Sequence, residues 1–100
     1  MDAKKYFERE LGKPTFGRSL RAWRLGEELS QEQLAKKTGL TKAAISRFEN
    51  GHDFPSSETL EALAKACKAD SGLWIVYIVS EMAEKKGFYG IEVRRKKAVG

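Results

Sequence analysis

The sequence has a single cysteine and a single histidine among its 100 residues, so side chains for metal binding or nucleophilic catalysis are scarce. One cysteine cannot form an internal disulfide, which excludes the cross-linked framework of small secreted domains. The sequence contains no Cys/His cluster, no glycine-rich phosphate loop and no Ser/His/Asp set. We therefore predict a protein that is not an enzyme and that binds no metal, no cofactor and no small-molecule ligand.

Long hydrophobic runs are also missing. The longest apolar run, Leu73 to Val79, is far shorter than the roughly 20 residues that a membrane-spanning helix needs. The first segment, MDAKKYFERELG, carries charges throughout and has no apolar signal core. Together with the lone cysteine, these features predict a cytoplasmic protein without a membrane contact.

Positive charge and helix signals are what the sequence does have. Its formal net charge of +5 favours an anionic partner. Ser30 is suited to cap a helix that begins at Gln31, and Leu34 and Ala35 are the apolar positions of that helix. The helix ends at Gly39, because only glycine takes a positive φ at such a sharp turn without steric cost.

A second short helix follows this turn. Thr41 is suited to cap it, and Ile45 and Phe48 have the i, i+3 spacing of a buried face. The dipeptide Asn50-Gly51 ends the helix. Two short helices joined by a tight turn are the arrangement of a helix-turn-helix DNA reader.

One further helix is predicted on each side of this pair. The first is capped by Thr15 and has three apolar positions, Phe16, Leu20 and Trp23. Leu25 and Leu29 continue the core into the next connection. The other is capped by Ser56 or Ser57 and has a buried stripe of four residues, Leu60, Leu63, Ala64 and Cys67.

A last helix is predicted from about residue 71 to 86. Its apolar run favours a strand by composition, but the segment from Ser80 to Lys86 continues as good helix formers. A helix that is apolar on nearly all sides should be covered by the domain core and by a second subunit. Beyond it, the alternation in FYGIEVRR predicts a short strand, which needs a mate from a second copy or from another protein. The predicted dimer or partner contacts are Trp74, Tyr77, Ile78, Ile91 and Val93.

The motifs LSQEQLAKKTGL, TKAAISRFENG and PSSETLEALAKA occur in this order and resemble the Cro/phage-repressor (XRE) class of helix-turn-helix domain. With the preceding helix, the resemblance covers about residues 15–72. It implies an all-α, five-helix, lambda-repressor-like DNA-binding domain in a bacterial or phage protein associated with the nucleoid. Residues 1–14 are then a short N-terminal arm, and residues 73–100 hold the apolar helix and a short strand-like, basic tail.

The resemblance implies that the second helix of the motif enters the major groove of operator DNA. Arg47 is the candidate for a bidentate contact to guanine, and Gln31 resembles a phosphate clamp. Many phage repressors begin this helix with glutamine, where Lys42 and Ala43 stand here, so their operator sequences do not carry over. The alternative for the polar residues of this helix is an ordinary solvated face. The predicted DNA contacts are Gln31, Thr41, Lys42, Ala43, Ser46, Arg47 and Asn50, with His52 and Arg18 as flanking candidates.

The resemblance also implies a structural ion pair. In the XRE class, an arginine of the first helix and a glutamate late in the recognition helix form a partly buried pair. Arg24 and Glu49 occupy the matching positions, so we expect them to lock these two helices together.

These features predict a sequence-specific transcriptional regulator, expected to be a repressor, that binds its operator as a homodimer. The whole layout, ending in FYGIEVRRKK, also resembles more loosely the HigA-type antitoxins. In that family the protein represses its own operon and neutralises a co-encoded toxin, so a cognate toxin is a further expected partner. Two alternatives stay open, a stand-alone Cro-like repressor without a toxin and a protein-interaction adaptor with the same fold.

Overall fold

The computed structural model describes residues 14–90 and 92–93, and in these residues the chain forms five helices and no strand. The helices are α1 (Phe16–Gly26), α2 (Gln31–Thr38), α3 (Lys42–Glu49), α4 (Ser57–Cys67) and α5 (Ser71–Lys85). The predicted all-α class with five helices is confirmed. None of these helices in the described part of the chain is long and apolar enough to cross a bilayer.

Side-chain hydroxyl caps fix where four of the helices begin. In each case a hydroxyl oxygen accepts a hydrogen bond from a backbone N–H of the first helical turn, and the caps are Thr15, Ser30, Thr41 and Ser56. Ser30 also forms a capping box, because its own N–H donates to the Gln33 side chain over 2.8 Å. Of the two serines predicted for α4, it is Ser56 that caps the helix.

A tight turn joins α2 to α3. Gly39 has a φ of 73°, and the N–H of Leu40 donates to the carbonyl oxygen of Ala35 over 3.0 Å. The positive φ is the reason why a glycine is needed here. Ala35 is itself buried, and its small side chain lets α2 and α3 lie close together.

The core lies between the five helices. The rings of Phe16 and Trp74 meet edge to face with their centroids 5.5 Å apart, which joins α1 to α5. The indole N–H of Trp74 donates to the Ser19 hydroxyl over 2.9 Å, so its polar atom has a partner. The other buried apolar residues are Leu20, Leu34, Ala35, Ile45, Phe48, Leu60, Leu63, Ala64, Cys67 and Ile78.

Two residues predicted to contact a second subunit or a partner lie in this core instead. Trp74 is fully buried and Ile78 nearly so, while Tyr77 is partly buried against the same cluster. The run is apolar on every side, so its packing against Phe16 decides which side of α5 faces inwards. The outward side carries three exposed residues at i, i+4, i+7 spacing, Ile75, Val79 and Met82, which we call the α5 stripe.

The prediction for α1 is wrong at Trp23, whose side chain is 41% exposed, and at Leu25, which is also exposed. The buried face of α1 instead follows Phe16, Leu20 and Arg24, at steps of four residues. Trp23 lies at the edge of this face, because each residue turns a helix by about 100°. An arginine is tolerated at the third buried position because its charge is paired with a carboxylate.

Gly17 allows α1 to approach the end of α3. A Cβ atom at this position would lie 2.5 Å from the carbonyl oxygen of Glu49 and 2.6 Å from that of Phe48. The contact was not predicted from the sequence. A glycine inside a helical pattern is the signal that could have indicated it.

The predicted C-terminal strand is not formed at Glu92 and Val93, which lie in irregular structure. A strand forms only against a mate, and the described part of this chain offers none. Ile91, the tail from residue 94 onward and the predicted arm up to residue 13 lie outside the described residues. Strand pairing with a second copy or another protein therefore stays a prediction.

Candidate nucleic-acid interface

Helix α3 divides its residues between the core and the surface. Its inner side is fixed to the domain by Ile45 and Phe48. Thr41, at its N-terminus, is exposed and its hydroxyl accepts from the N–H of Ala44 over 3.1 Å. The predicted contact residues within α3 lie on its other side, where three are exposed and one is half-buried, namely Lys42, Ala43, Arg47 and Ser46.

The N-terminus of α2 provides backbone donors. The first N–H groups of a helix have no partner inside the helix. The capping box uses those of Ser30 and Gln33, and within residues 14–90 and 92–93 it leaves the N–H groups of Gln31 and Glu32 to a ligand. Such N–H groups, together with the positive end of the helix dipole, attract anions such as phosphate.

A cleft of about 310 Å³ lies where this helix end meets α1 and the end of α3. Its lining brings together Gln31 and Asn50, two predicted contacts, with Arg18, a flanking candidate. It also includes Arg21, which was not predicted. Arg18 and Arg21 are exposed and stand at i, i+3 on α1, so both project towards the cleft. That spacing is the sequence signal that could have found Arg21.

The floor of the cleft is a buried ion pair. Arg24 Nε lies 2.7 Å from Glu49 Oε2 and Arg24 Nη2 lies 3.0 Å from Oε1, so the two planar groups share two parallel bonds. Arg24 Nη1 donates to the carbonyl oxygen of Leu29 over 2.8 Å. The Gln31 amide donates to Glu49 Oε1 over 3.2 Å. The hydrogen bond to Glu49 raises the pKa of Arg24 above its ordinary value. The pair implied by the resemblance thus joins α1, α3 and the loop between α1 and α2.

Arg47, the predicted base reader, is held from the side by a carboxylate. Its Nε donates to Asp53 Oδ2 over 2.6 Å, and its Nη2 donates to Asp53 Oδ1 over 3.3 Å. This hydrogen bonding raises the pKa of Arg47 and lowers that of the Asp53 carboxyl. Asp53 was not predicted, because the bond depends on the turn that follows α3.

Two further predicted residues lie at the end of α3. The Asn50 amide donates to the carbonyl oxygen of Ser46 over 2.9 Å and to its hydroxyl over 3.3 Å. His52 is exposed in the following turn. Asn50 therefore borders both the cleft and the outward side of α3, whereas His52 lies beyond the helix end.

The chemistry of this surface is that of hydrogen-bond donors and cations. Among the described residues, no group of three or more His, Cys, Asp or Glu side chains could hold a metal ion. Cys67 is buried elsewhere, and burial raises the pKa of its thiol to about 11, so it stays protonated. Arginines, a lysine and backbone N–H groups on one side of a domain are suited to phosphates and base edges.

Comparison with protein families matches residues 15–73 to the family described as helix-turn-helix domain. The chain belongs to this helix-turn-helix family. The match runs from the cap of α1 to the first residues of α5, so it contains the whole cleft and α3.

Two curated relatives are regulators of transcription. The HTH-type transcriptional repressor RghR of Bacillus subtilis (strain 168) is 44% identical over 55 residues, which are 54% of this chain and 41% of that protein. The HTH-type transcriptional activator BcrR of Enterococcus faecalis is 38% identical over 50 residues, which are 50% of this chain and 24% of that protein. This chain thus spans less than half the length of either relative.

A solved structure shows the same fold. The P22 c2 repressor, in complex with synthetic operator 9T, has a TM-score of 0.60 and 31% sequence identity. The likeness covers 62% of this chain and 94% of that one. The predicted resemblance to the Cro/phage-repressor class is therefore confirmed.

Proposed function

We propose that this helix-turn-helix protein is a sequence-specific DNA-binding regulator of transcription and that it acts as a repressor. The observation that carries the proposal is the exposed side of α3, which lies next to a cleft rimmed by exposed arginines. The P22 c2 repressor, which has this fold, is bound to an operator, and RghR is named a repressor. BcrR is named an activator, so the same domain serves both kinds of regulator. Repression follows if the protein occupies a promoter and blocks polymerase.

The cleft is the proposed phosphate site. Arg18 and Arg21 supply positive charge, and the N–H groups of Gln31 and Glu32 supply donors at the start of α2. The buried pair below them is neutral as a unit, so the exposed cationic side chains of the cleft are these two arginines. Each phosphate that they neutralise releases counterions, and we therefore expect the affinity to fall steeply with salt.

Helix α3 is the proposed reader of bases. Arg47 has the fork of donors that matches guanine O6 and N7, and Lys42 can bind guanine or a phosphate. Ala43 offers a methyl group to a thymine methyl, and Ser46 a hydroxyl to a base edge or the backbone. Three of these residues are exposed and Ser46 is half-buried on the same side of α3, which supports these assignments.

The test is the selection of duplexes from a random pool by the purified chain, followed by affinity measurements on the selected duplex. We expect one preferred sequence and a steep salt dependence. Arg47→Ala should lose preference at one base pair, worth about 1–3 kcal/mol, whereas Gln31→Ala should weaken binding to all sequences alike. Recovery of no preferred sequence, with no salt-dependent binding to any duplex, would sink the proposal.

We propose in addition that the chain acts as a homodimer that uses the α5 stripe. One short recognition helix reads few base pairs, whereas two related subunits read half-sites about 34 Å apart. In a two-fold dimer the same patch lies on both subunits, which suits an apolar stripe without charged residues. A groove of about 530 Å³ between α5 and Phe54 is lined by Val79 and Met82 of the stripe, with Lys85 and Lys86 beyond them, and gives the second copy a concave surface to fill.

The dimer is tested by sedimentation of the purified chain over a range of concentrations. We expect Val79→Glu to give monomers with an unchanged helical spectrum, because it places a charge in the α5 stripe. Lys65→Glu, on the exposed side of α4, is the control and should leave the mass unchanged. A wild-type chain that stays monomeric at all concentrations, with and without operator DNA, would rule out the homodimer.

The antitoxin hypothesis stays a prediction, because most of its expected contact segment, residues 91–95, lies outside the described residues. A pull-down of the tagged chain from its native host tests it. A small basic protein from the adjacent gene in near-stoichiometric amount is the expected result, and recovery of the chain alone would leave the stand-alone repressor. The adaptor alternative predicts acidic or apolar residues on the outward side of α3, where Lys42 and Arg47 stand.

A further inference from the structure

The side chain of Arg47 is held by a residue outside its own helix. Helix α3 ends in a Schellman turn, in which the N–H of His52 donates to the carbonyl oxygen of Arg47 over 2.9 Å. Gly51 has a φ of 76° in this turn, and its N–H donates to the carbonyl oxygen of Phe48 over 3.2 Å. The chain reverses direction there and brings Asp53 alongside Arg47. The backbone turn therefore places the carboxylate.

The contact with Asp53 uses one hydrogen-bonding edge of the Arg47 guanidinium and leaves a second edge for another acceptor. An arginine can form two parallel bonds through its Nε/Nη2 edge or through its Nη1/Nη2 edge. Asp53 takes the first, at 2.6 Å from Nε and 3.3 Å from Nη2. Nη1 has no hydrogen-bond partner among the described residues. The edge that contains it matches the O6 and N7 acceptors of guanine.

We propose that Asp53 is a positioning residue for base recognition, which holds Arg47 with its Nη1/Nη2 edge turned towards a guanine in the major groove. The inference rests on the proposed function, in which α3 reads DNA. Fixing a long side chain before binding reduces the conformational entropy that binding removes. An exposed ion pair adds little to the stability of a fold, so the role of Asp53 lies in binding rather than in folding.

Asp53 also acts against wrong sequences. Its carboxylate is repelled by the phosphates of any duplex, which lowers affinity for all DNA. Because it holds Arg47 at the side, it also keeps the guanidinium from turning to a phosphate. Only a duplex with guanine at the right position compensates for the repulsion. Discrimination then arises from a repulsive group and an attractive one together.

The experiment uses the purified chain and the duplex that the wild type selects, with each base pair changed in turn. The base pair read by Arg47 is the one at which the wild type discriminates and Arg47→Ala does not. At that base pair we expect Asp53→Ala to reduce discrimination roughly 2- to 10-fold, the range for ordering one long side chain. Its affinity for unrelated DNA should rise, and its melting temperature should stay that of the wild type.

Glu61→Gln is the matched control, because it removes the same charge from the exposed side of α4 and leaves Arg47 and Asp53 unchanged. It should strengthen binding to every duplex alike and leave discrimination as it is. Three outcomes overturn the positioning role while the proposed function stands. These are unchanged or sharper discrimination in Asp53→Ala, a loss spread evenly over all base pairs, and full discrimination in Arg47→Ala. If the wild type selects no sequence, the proposed function itself has failed.

Discussion

The domain contains two arginine–carboxylate pairs that have almost the same geometry in different surroundings. Arg24 and Glu49 meet at 2.7 Å with side chains that are 8% and 4% exposed. Arg47 and Asp53 meet at 2.6 Å with side chains that are 57% and 46% exposed. The nitrogen–oxygen distances are nearly the same in the two pairs, whereas their exposure to water differs.

This difference assigns the two pairs to different tasks. When one partner of a buried pair is removed, the other charge is left away from water, and the fold becomes much less stable. When one partner of an exposed pair is removed, water and salt ions replace it at little loss. The buried pair therefore holds helices together, whereas the exposed pair can exchange or share its bonds with a ligand.

The largest expected effect is that of Arg24→Ala. It leaves Glu49 without its cation and frees the carbonyl oxygen of Leu29, so we expect a loss of about 3 kcal/mol or more in the free energy of unfolding. Arg47→Ala is the matched control at the exposed pair and should change it by less than about 0.5 kcal/mol. Urea denaturation of both variants gives the comparison. Equal losses of stability in the two variants would show that burial does not decide how much each pair stabilises the fold.

Gly17→Ala tests the same contact between α1 and α3 without changing a charged residue. The added methyl group would lie 2.5 Å from the carbonyl oxygen of Glu49, so α1 must move away from α3 and the buried pair with it. We expect a loss of about 1–3 kcal/mol in the free energy of unfolding. Gly26→Ala in the same helix meets no atom within 4 Å and should be neutral or stabilising. A Gly17→Ala variant as stable as the wild type would show that α1 and α3 can move apart at this contact without loss of stability.

How far these features could be predicted depends on how local their causes are. The caps at Ser30 and Thr41 and the turn at Gly39 depend on neighbouring residues, so the sequence pattern predicts them well. The inward side of α5 depends on Phe16 and Ser19, far away in the chain, and it was predicted wrongly. Gly17 and Asp53 act through contacts that helix periodicity does not contain, whereas Arg21 could have been found from its i, i+3 spacing to Arg18. The Arg24–Glu49 pair was expected only because a known family has it.

Cys67 offers a chemical probe of the buried pair. Burial, with smaller contributions from the carboxylates of Glu27 and Glu49 and an opposing one from Arg24, raises the pKa of its thiol to about 11. We expect labelling by a thiol reagent to be slow in the native wild type and fast in urea. Labelling of Arg24→Ala should be roughly 100-fold faster than that of the wild type if its free energy of unfolding is lower by about 3 kcal/mol. Each 1.4 kcal/mol changes the unfolding equilibrium constant by a factor of ten. Labelling of Arg47→Ala should match the wild type, and faster labelling there would contradict the assignment.

Glu81 is a third carboxylate, intermediate in burial, and it should show the smallest effect. It accepts a hydrogen bond from the N–H of Phe16 over 2.9 Å rather than from an arginine. Burial raises its pKa above the ordinary 4.5, with the bond from Phe16 opposing in part. The folded state thus binds the proton more readily than the unfolded state, so the contribution of Glu81 to stability falls as the pH rises through 4.5 towards its raised pKa.

Glu81→Gln keeps an acceptor for the Phe16 N–H and removes the charge. We expect this variant to be more stable than the wild type at pH 7 by less than about 1 kcal/mol, with the difference vanishing at about pH 3 because both states of the wild type are then protonated. Urea denaturation at the two pH values measures it. A variant that is less stable than the wild type at pH 7 would mean that the ionised carboxylate is favoured at the start of α1. In that case the positive end of the helix dipole would outweigh burial at this site. Partial burial would then not be enough to favour the neutral form of a carboxyl group.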